Sequence, residues 1–73
     1  MATQTLDTKG LTCPQPTLKM TIESSKMKKG DILEVMADCD SFEDDVKNWC
    51  QRRKKVLLWI REEGSFKRCQ VQM

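Results

Sequence analysis

The chain has 73 residues, of which 38% are hydrophobic and 33% charged, and a formal net charge of +2 at pH 7. A chain of this length buries only about 60% of its unfolded surface, so we expect one domain, residues 1–73, without a deep multi-residue active site. The composition leaves too little apolar sequence for a membrane span, and so small a charge does not by itself indicate a nucleic acid or a membrane as partner.

The first half of the chain predicts a strand, a helix and a second strand. Thr3–Asp7 is rich in threonine and ends at a Lys9-Gly10 turn, which favours a first strand. Apolar positions at helical spacing among good helix formers predict a helix from about Pro16–Met27, with Gly30 ending it. Asp31–Ala37 alternates in the way that a half-buried strand does.

The second half predicts a helix followed by a hairpin. We expect Asp40 to be the N-cap of the second helix, with Glu43 completing an acidic variant of the capping box. This helix ends near Lys54 and has an apolar stripe. The stripe consists of Phe42, Val46, Trp49 and Cys50. Val56–Glu62 is β-branched and apolar and Phe66–Gln72 alternates, so the three residues between them predict a β-hairpin turn.

The element order βαβαββ restricts the fold. Two successive right-handed crossovers that run in the same direction put both helices on one face of the sheet. The fold expected is therefore an α+β two-layer sandwich, with a mixed four-stranded sheet and two helices on one face. Strands one to three should be parallel and the fourth antiparallel to the third.

The other face of the sheet should be uncovered. If Val56, Leu58 and Ile60 point toward the helices, alternation gives the open face a mixed set of large side chains. That set is Glu34, Met36, Leu57, Trp59, Arg61, Phe66 and Arg68. A patch of this kind predicts a docking surface or a homodimer contact. The alternative is that long charged side chains fold over Trp59 and shield it from water.

Four cysteines in so short a chain raise the question of disulfides. The first residues lack the basic stretch and apolar run of a secretory signal, so we expect a cytoplasmic protein with reduced thiols. The cysteines, at positions 13, 39, 50 and 69, form no C-x-x-C pair, so no zinc site is expected, nor another metal or a cofactor. We expect Cys50 and Cys69 to lie in the core.

Cys13 is the candidate reactive residue. It lies in the loop after the first parallel strand, where ligands and reactions gather in open sheets, and at the start of a helix, which lowers a thiol pKa. The sequence contains no histidine, so no Cys-His or Ser-His pair can form. The chemistry that remains for such a thiolate is attack on another sulfur.

Two prolines, Pro14 and Pro16, follow Cys13 closely and flank Gln15. Pro14 favours an extended Cys13, and Pro14 with Pro16 stiffens the helix start and removes two N–H groups. The N–H groups of Gln15 and Thr17 would then face the thiolate. The alternative is an ordinary proline-marked helix start with an incidental buried cysteine, and the residues alone leave both open.

The run from Leu6 to Pro16, LDTKGLTCPQP, resembles the signature of the TusA/SirA/YeeD family, an L-D-x-x-G-x-x-C-P-x-P segment between a strand and a helix. Length, element order and the Ala37-Asp38 step also fit. The resemblance implies a βαβαββ sandwich in which Cys13 accepts persulfide sulfur and passes it to a protein acceptor. Its implied donor is a protein of the cysteine desulfurase or rhodanese type. Family uses include tRNA thiolation, molybdenum-cofactor biosynthesis and sulfur oxidation.

Four further residues accompany Cys13 as candidates. Asp7, Lys9 and Gly10 precede it in the matching segment and are supporting candidates. Many relatives have proline at the position of Cys39, which follows the neighbouring parallel strand and could approach Cys13 as a second thiol. The alternative for Cys39 is a small residue tolerated before a helix cap.

Two basic clusters follow the two helices. They are Lys26, Lys28 and Lys29, and Arg52, Arg53, Lys54 and Lys55. Cations complement the dipole at helix carboxyl ends, so we interpret both as solvated caps at the end opposite Cys13 and expect no direct nucleic-acid contact. The alternative function is a non-catalytic RNA-binding or regulatory module, because a ribosomal-RNA-binding domain of a translation initiation factor shares this general fold.

Overall fold

A computed structural model describes residues 2–11 and 15–73 of the chain. It confirms the order βαβαββ and the two-layer α+β architecture. The elements are β1 (Thr3–Asp7), α1 (Gln15–Ser24), β2 (Ile32–Ala37), α2 (Phe42–Arg53), β3 (Val56–Glu63) and β4 (Phe66–Gln72).

The sheet has the order β1-β2-β4-β3. β1 and β2 are parallel neighbours, with Leu6 opposite Val35. β4 lies between β2 and β3 and is antiparallel to both, so the strands run in the predicted directions, although the last strand occupies an interior position. Because β1 and β2 are adjacent and parallel, the loops that follow them lie at the same edge of the sheet.

Both helices cover one face of the sheet. The core joins side chains from α1 and α2 to the inward faces of β2 and β4. It consists of Met20, Leu33, Val35, Ala37, Phe42, Val46, Trp49, Cys50, Cys69 and Val71. The predicted apolar stripe of α2 is therefore buried, and the prediction that Cys50 and Cys69 belong to the core is confirmed.

Helix α1 ends at Ser24, three residues before the predicted end at Met27. The hydroxyl of Ser24 donates to the carbonyl oxygen of Thr21 at 3.0 Å, and that of Ser25 donates to the carbonyl oxygen of Ile22 at 2.7 Å. Serine hydroxyls that bond to backbone carbonyls compete with helix continuation. The chain then proceeds through tight turns instead of another helical turn.

The start of α2 also differs from the prediction. The N-cap is Ser41 and not Asp40, and no side chain caps the first turn. The Ser41 hydroxyl donates to the Asp45 carboxylate at 2.9 Å. The carboxylate of Glu43 contacts Lys47 at 2.9 Å and Lys67 at 3.5 Å, and these two cations draw it away from the reciprocal bond of a capping box.

A β-bulge changes the orientation of β3. The register steps from Leu57 opposite Val71 to Trp59 opposite Gln70, which leaves Leu58 as the extra residue. As a result Leu57 packs against the core together with Ile60. Val56 and Leu58 are 55% and 43% exposed, so the predicted inward positions of these two residues and the outward position of Leu57 are wrong. Strict alternation fails at a bulge because two residues face one on the partner strand.

Candidate functional site

The predicted reactive residue, Cys13, lies outside the described residues, as does Pro14. The described part of the site resumes at Gln15, which is exposed at the start of α1, and continues with the fully buried Pro16. The first turn of α1 contains no acidic residue. No carboxylate within that turn therefore offsets the partial positive charge of the helix start. The predicted roles of the Gln15 and Thr17 N–H groups stay predictions.

The loop that leads to Cys13 is attached to the end of β2 through Thr8. This residue is 1% exposed. Its hydroxyl and its backbone N–H both donate to the carbonyl oxygen of Met36, at 2.6 and 2.8 Å. The Thr8 carbonyl in turn accepts the N–H of Leu11 at 3.2 Å. The path of the chain from β1 to Leu11 is thus defined by buried or backbone hydrogen bonds.

A carboxylate from the neighbouring loop holds the next part of this loop. Both oxygens of Asp38 accept the backbone N–H of Gly10, at 3.0 and 3.1 Å. Gly10 has a φ of +88°, a conformation that glycine adopts without the steric penalty of a side chain. Asp38 therefore ties the β1–α1 loop to the β2–α2 loop three residues before Cys13.

Lys9 and Asp7, two predicted supporting residues, arrange the outer side of the same loop. The Lys9 N–H donates to Asp7 Oδ1 at 3.0 Å, and Lys9 Nζ lies 4.0 Å from Asp7 Oδ2. Lys9 Nζ also lies 4.5 Å from the centre of the Phe66 ring, so it connects the loop to the β3–β4 hairpin. The exposed ion pair adds little to stability, but it limits the directions available to Lys9.

Cys39 follows β2 at the same edge of the sheet. It packs against the core while remaining partly exposed, and its Sγ lies 4.0 Å from the Ser41 hydroxyl. Cys39 is disulfide-bonded, so the expectation of four reduced thiols is wrong for this residue. The loop after β2 places the sulfur at an accessible edge, whereas Cys50 and Cys69 are free thiols in the core.

The thiols of the two core cysteines are poor nucleophiles. Burial raises the pKa of the Cys50 thiol to about 11. Burial, followed by the proximity of Cys50, raises the pKa of the Cys69 thiol to about 12. Since the thiolate is the reactive form of cysteine, neither residue suits sulfur chemistry at neutral pH.

The helix that follows the β2–α2 loop begins with acidic side chains. The first turn of α2 contributes Glu43, Asp44 and Asp45. The hydrogen bond from Lys47, assisted by the charges of Lys47 and Lys67, lowers the pKa of Glu43, so this carboxylate stays ionised well into the acidic range. The same two lysines neutralise part of the negative charge that these carboxylates bring to the edge.

Thr8, Asp38 and Phe66 belong to the surroundings of the site although the sequence did not single them out for it. A signal existed for Asp38, because it ends the strand adjacent to β1 and so had to lie near the β1–α1 loop. Thr8 and Phe66 carried no comparable signal, since a threonine in a loop and an aromatic residue in a hairpin strand are both common.

Residues 2–11 and 15–73 contain two helices, α1 and α2. Neither helix in these ranges has the length and apolar character needed to cross a membrane. Within the same ranges, histidine, cysteine, aspartate and glutamate side chains do not come together in threes as metal ligands would.

Comparison with known proteins identifies relatives across this fold. Residues 4–72 match the model of the family described as sulfurtransferase TusA. A Halobacterium salinarum protein is 37% identical over 62 residues, covering 85% of this chain and 76% of the relative. A Neisseria meningitidis serogroup A protein is 35% identical over 63 residues, covering 86% and 85%. An Aquifex aeolicus protein is 33% identical over 60 residues, covering 82% of this chain but only 30% of the relative.

All three relatives carry the provisional name of sulfur carrier protein. The family match reaches from β1 into β4. It therefore includes the Cys13 loop, the Asp38 contact and the whole of the core. The chain belongs to the TusA family of sulfurtransferases.

Proposed function

We propose that this chain is a cytoplasmic sulfur carrier that holds sulfur as a persulfide on Cys13 and passes it to a protein acceptor. The observation that carries the proposal is the family match over residues 4–72. The absence of histidine from the sequence supports sulfur-on-sulfur chemistry over acyl transfer, which needs a base beside the nucleophile. The buried, high-pKa thiols of Cys50 and Cys69 support Cys13 as the acceptor.

The transfer proceeds in two steps, loading of Cys13 by the donor and release of the sulfur to the acceptor. The Cys13 thiolate attacks the outer sulfur of a persulfide on the donor, of the cysteine desulfurase or rhodanese type, and the sulfur–sulfur bond of the donor breaks. The donor leaves as a thiolate and Cys13 becomes a persulfide. A nucleophile of the acceptor then attacks the outer sulfur of that persulfide, and the Cys13 thiolate is released. The acceptor would serve tRNA thiolation, molybdenum-cofactor biosynthesis or sulfur oxidation.

The described residues would act as supports. The Asp38 carboxylate fixes the Gly10 N–H, and Thr8 anchors the loop to β2. These contacts keep the β1–α1 loop in one conformation before its reactive residue. A fixed loop reduces the entropy that the encounter with the donor would otherwise cost.

The experiment is mass spectrometry of the reduced protein after treatment with glutathione persulfide, carried out on the wild type and on single Cys→Ser variants. We expect one added sulfur atom in wild type, Cys39→Ser, Cys50→Ser and Cys69→Ser, and none in Cys13→Ser. If Cys13→Ser gains the sulfur and Cys39→Ser does not, the assignment of the acceptor residue is wrong.

A further inference from the structure

The two lysine-rich turns after the helices converge on a single groove at the end of the domain opposite the β1–α1 loop. The groove has a volume of about 520 Å³. Its lining residues are Ser24, Met27, Lys28, Lys29, Gly30, Lys54, Lys55, Val56, Gln72 and Met73. We call this surface the basic groove.

The basic groove concentrates lysine charge, with the Asp31 carboxylate as a nearby counter-charge for Lys28. None of Lys28, Lys29, Lys54 and Lys55 forms an ion pair with a carboxylate within residues 2–11 and 15–73. No residue that lines the groove there has a carboxylate side chain. The groove is therefore a concentrated positive surface on a chain whose net charge is only +2.

Helix capping explains only part of this charge. The last turn of α1 contains no basic residue, and Lys28 and Lys29 follow the end of that helix at Ser24 by more than one turn. The favourable effect of a cation on the helix dipole falls off within the last turn. Lys28 and Lys29 are exposed to solvent, as predicted, but they lie beyond the last turn of α1, so the helix dipole does not account for their charge.

Both lysine pairs are held on ordered turns. The Lys28 N–H donates to the Asp31 carboxylate, and the Asp31 N–H donates to the Lys28 carbonyl, each at 3.0 Å. On the other side, Lys54 adopts a left-handed conformation with a φ of 57°, and the Lys55 N–H donates to the Cys50 carbonyl at 2.9 Å. Ordered turns position the charges before a partner arrives, which lowers the entropic cost of binding.

The apolar residues of the basic groove distinguish between anionic partners. Met27 and Met73 pack against the core with part of their surface exposed, and Val56 is 55% exposed. Methionine adapts to apolar partners of varied shape. Among the described residues, the lining contains neither an aromatic residue on which a base could stack nor an arginine that could bind a phosphate with two hydrogen bonds. Both are common features of nucleic-acid sites.

We propose that the basic groove binds an acidic protein segment with an apolar face, whose carboxylates meet the lysines while its apolar side chains cover Met27, Val56 and Met73. The proposal goes beyond sulfur transfer and does not depend on Cys13. It gives the carrier a docking surface remote from its reactive edge, so that a partner can hold the domain without covering the sulfur.

The test is fluorescence anisotropy with the full chain and a labelled amphipathic helix made of glutamate and leucine. Its comparison probes are a scrambled peptide of the same composition and a single-stranded oligonucleotide of the same charge. We expect saturable binding of the amphipathic peptide, weaker binding of the scrambled peptide, and loss of affinity with added salt.

Matched variants separate charge from apolar contact. Lys55→Glu should weaken binding by about fivefold, whereas Lys19→Glu, which makes the same charge change on α1 outside the groove, should leave it nearly unchanged. Val56→Ser should also weaken binding by about fivefold, and Leu58→Ser, on the same strand outside the groove, should not. Lys29→Glu replaces Lys55→Glu if the latter lowers the melting temperature.

Two results would overturn the proposal. One is the absence of saturable peptide binding by a folded protein. The other is tighter binding of the oligonucleotide than of the amphipathic peptide, with no effect of Val56→Ser, which would identify the groove as a nucleic-acid surface. Neither result bears on sulfur loading at Cys13, so this test and that of the proposed function fail independently.

Discussion

The carboxylate of Asp38 accepts the backbone N–H of Gly10 with both oxygens, at 3.0 and 3.1 Å. These residues are 28 positions apart in the chain, and the contact joins the loops that follow the two parallel strands. One carboxylate therefore links the loop of Cys13 to the loop of Cys39.

Asp38→Ala should destabilise the fold by about 1 kcal/mol, because the exposed hydrogen bond from the Gly10 N–H to a charged carboxylate is lost. It should also slow sulfur loading at Cys13, since the loop becomes free to adopt other conformations. Urea unfolding and the rate of persulfide formation measure the two effects. Asp40→Ala is the control, because Asp40 is an exposed carboxylate nearby that accepts no hydrogen bond within the described ranges. Equal behaviour of the two variants would remove Asp38 from this role.

Cys39 should form an intramolecular disulfide with Cys13 under mild oxidation. The basis is the parallel pairing of β1 and β2, which brings the loops after them to one edge of the sheet, and the disulfide-bonded state of Cys39. Oxidised glutathione would take up the two electrons and be released as two thiols. Peptide mapping of the oxidised protein identifies the pair. Mixed glutathione disulfides on both residues, without a cross-linked peptide, would contradict the prediction.

Cys50 and Cys69 should resist iodoacetamide in the folded protein at pH 8. With a pKa of about 11, about one Cys50 thiol in a thousand is ionised at that pH, and burial also blocks the reagent. Both residues should react after unfolding in urea. Mass spectrometry of alkylated peptides before and after unfolding measures this. Rapid labelling of either residue in the folded state would show that the core opens readily.

The same two thiols should make the domain less stable at alkaline pH. Their pKa values are raised in the folded state, to about 11 for Cys50 and about 12 for Cys69, so between about pH 9 and 11 the unfolded chain releases protons that the folded chain retains. The free energy of unfolding therefore falls as pH rises through this window. Urea unfolding at several pH values measures the slope, and Cys50→Ala with Cys69→Ala should make it shallower.

The open face of the sheet should support docking or a homodimer through Trp59. This residue lies outside the core cluster, so Trp59→Ala should weaken self-association while changing the melting temperature little. Sedimentation and thermal unfolding measure the two. Trp49→Ala is the control, since that residue is 7% exposed and its loss should cost about 3–5 kcal/mol.

The alternative, that charged side chains shield Trp59, has support in the structure. The Arg61 guanidinium lies 4.6 Å from the centre of the Trp59 ring, and Glu63 accepts from both Arg61 and Arg68. A monomer at all concentrations, with unchanged self-association in Trp59→Ala, would favour shielding. In that case Arg61→Ala should expose the indole and shift its fluorescence toward that of water-exposed tryptophan.

Local patterns in the sequence were enough to predict the order of elements. The alternation of Ile32–Ala37 and the apolar stripe of Phe42–Arg53 depend on the period of a strand or a helix, which each segment expresses alone. The end of α1 was less predictable, because the hydroxyls of Ser24 and Ser25 can bond either to solvent or to backbone carbonyls, and the sequence does not show which. The bulge at Leu58 was not predictable, since a bulge depends on the partner strand.

The sequence by itself determined the βαβαββ order, the burial of Cys50 and Cys69, and the position of Cys13 between the first strand and the first helix. Only the tertiary structure decided that β4 lies between β2 and β3, that Asp38 meets Gly10, and that two lysine turns share one groove. The physical reason is the distance along the chain over which each kind of interaction acts. Periodicity and turn chemistry act over a few neighbouring residues, whereas strand order and contacts between loops arise from packing between segments far apart in the chain.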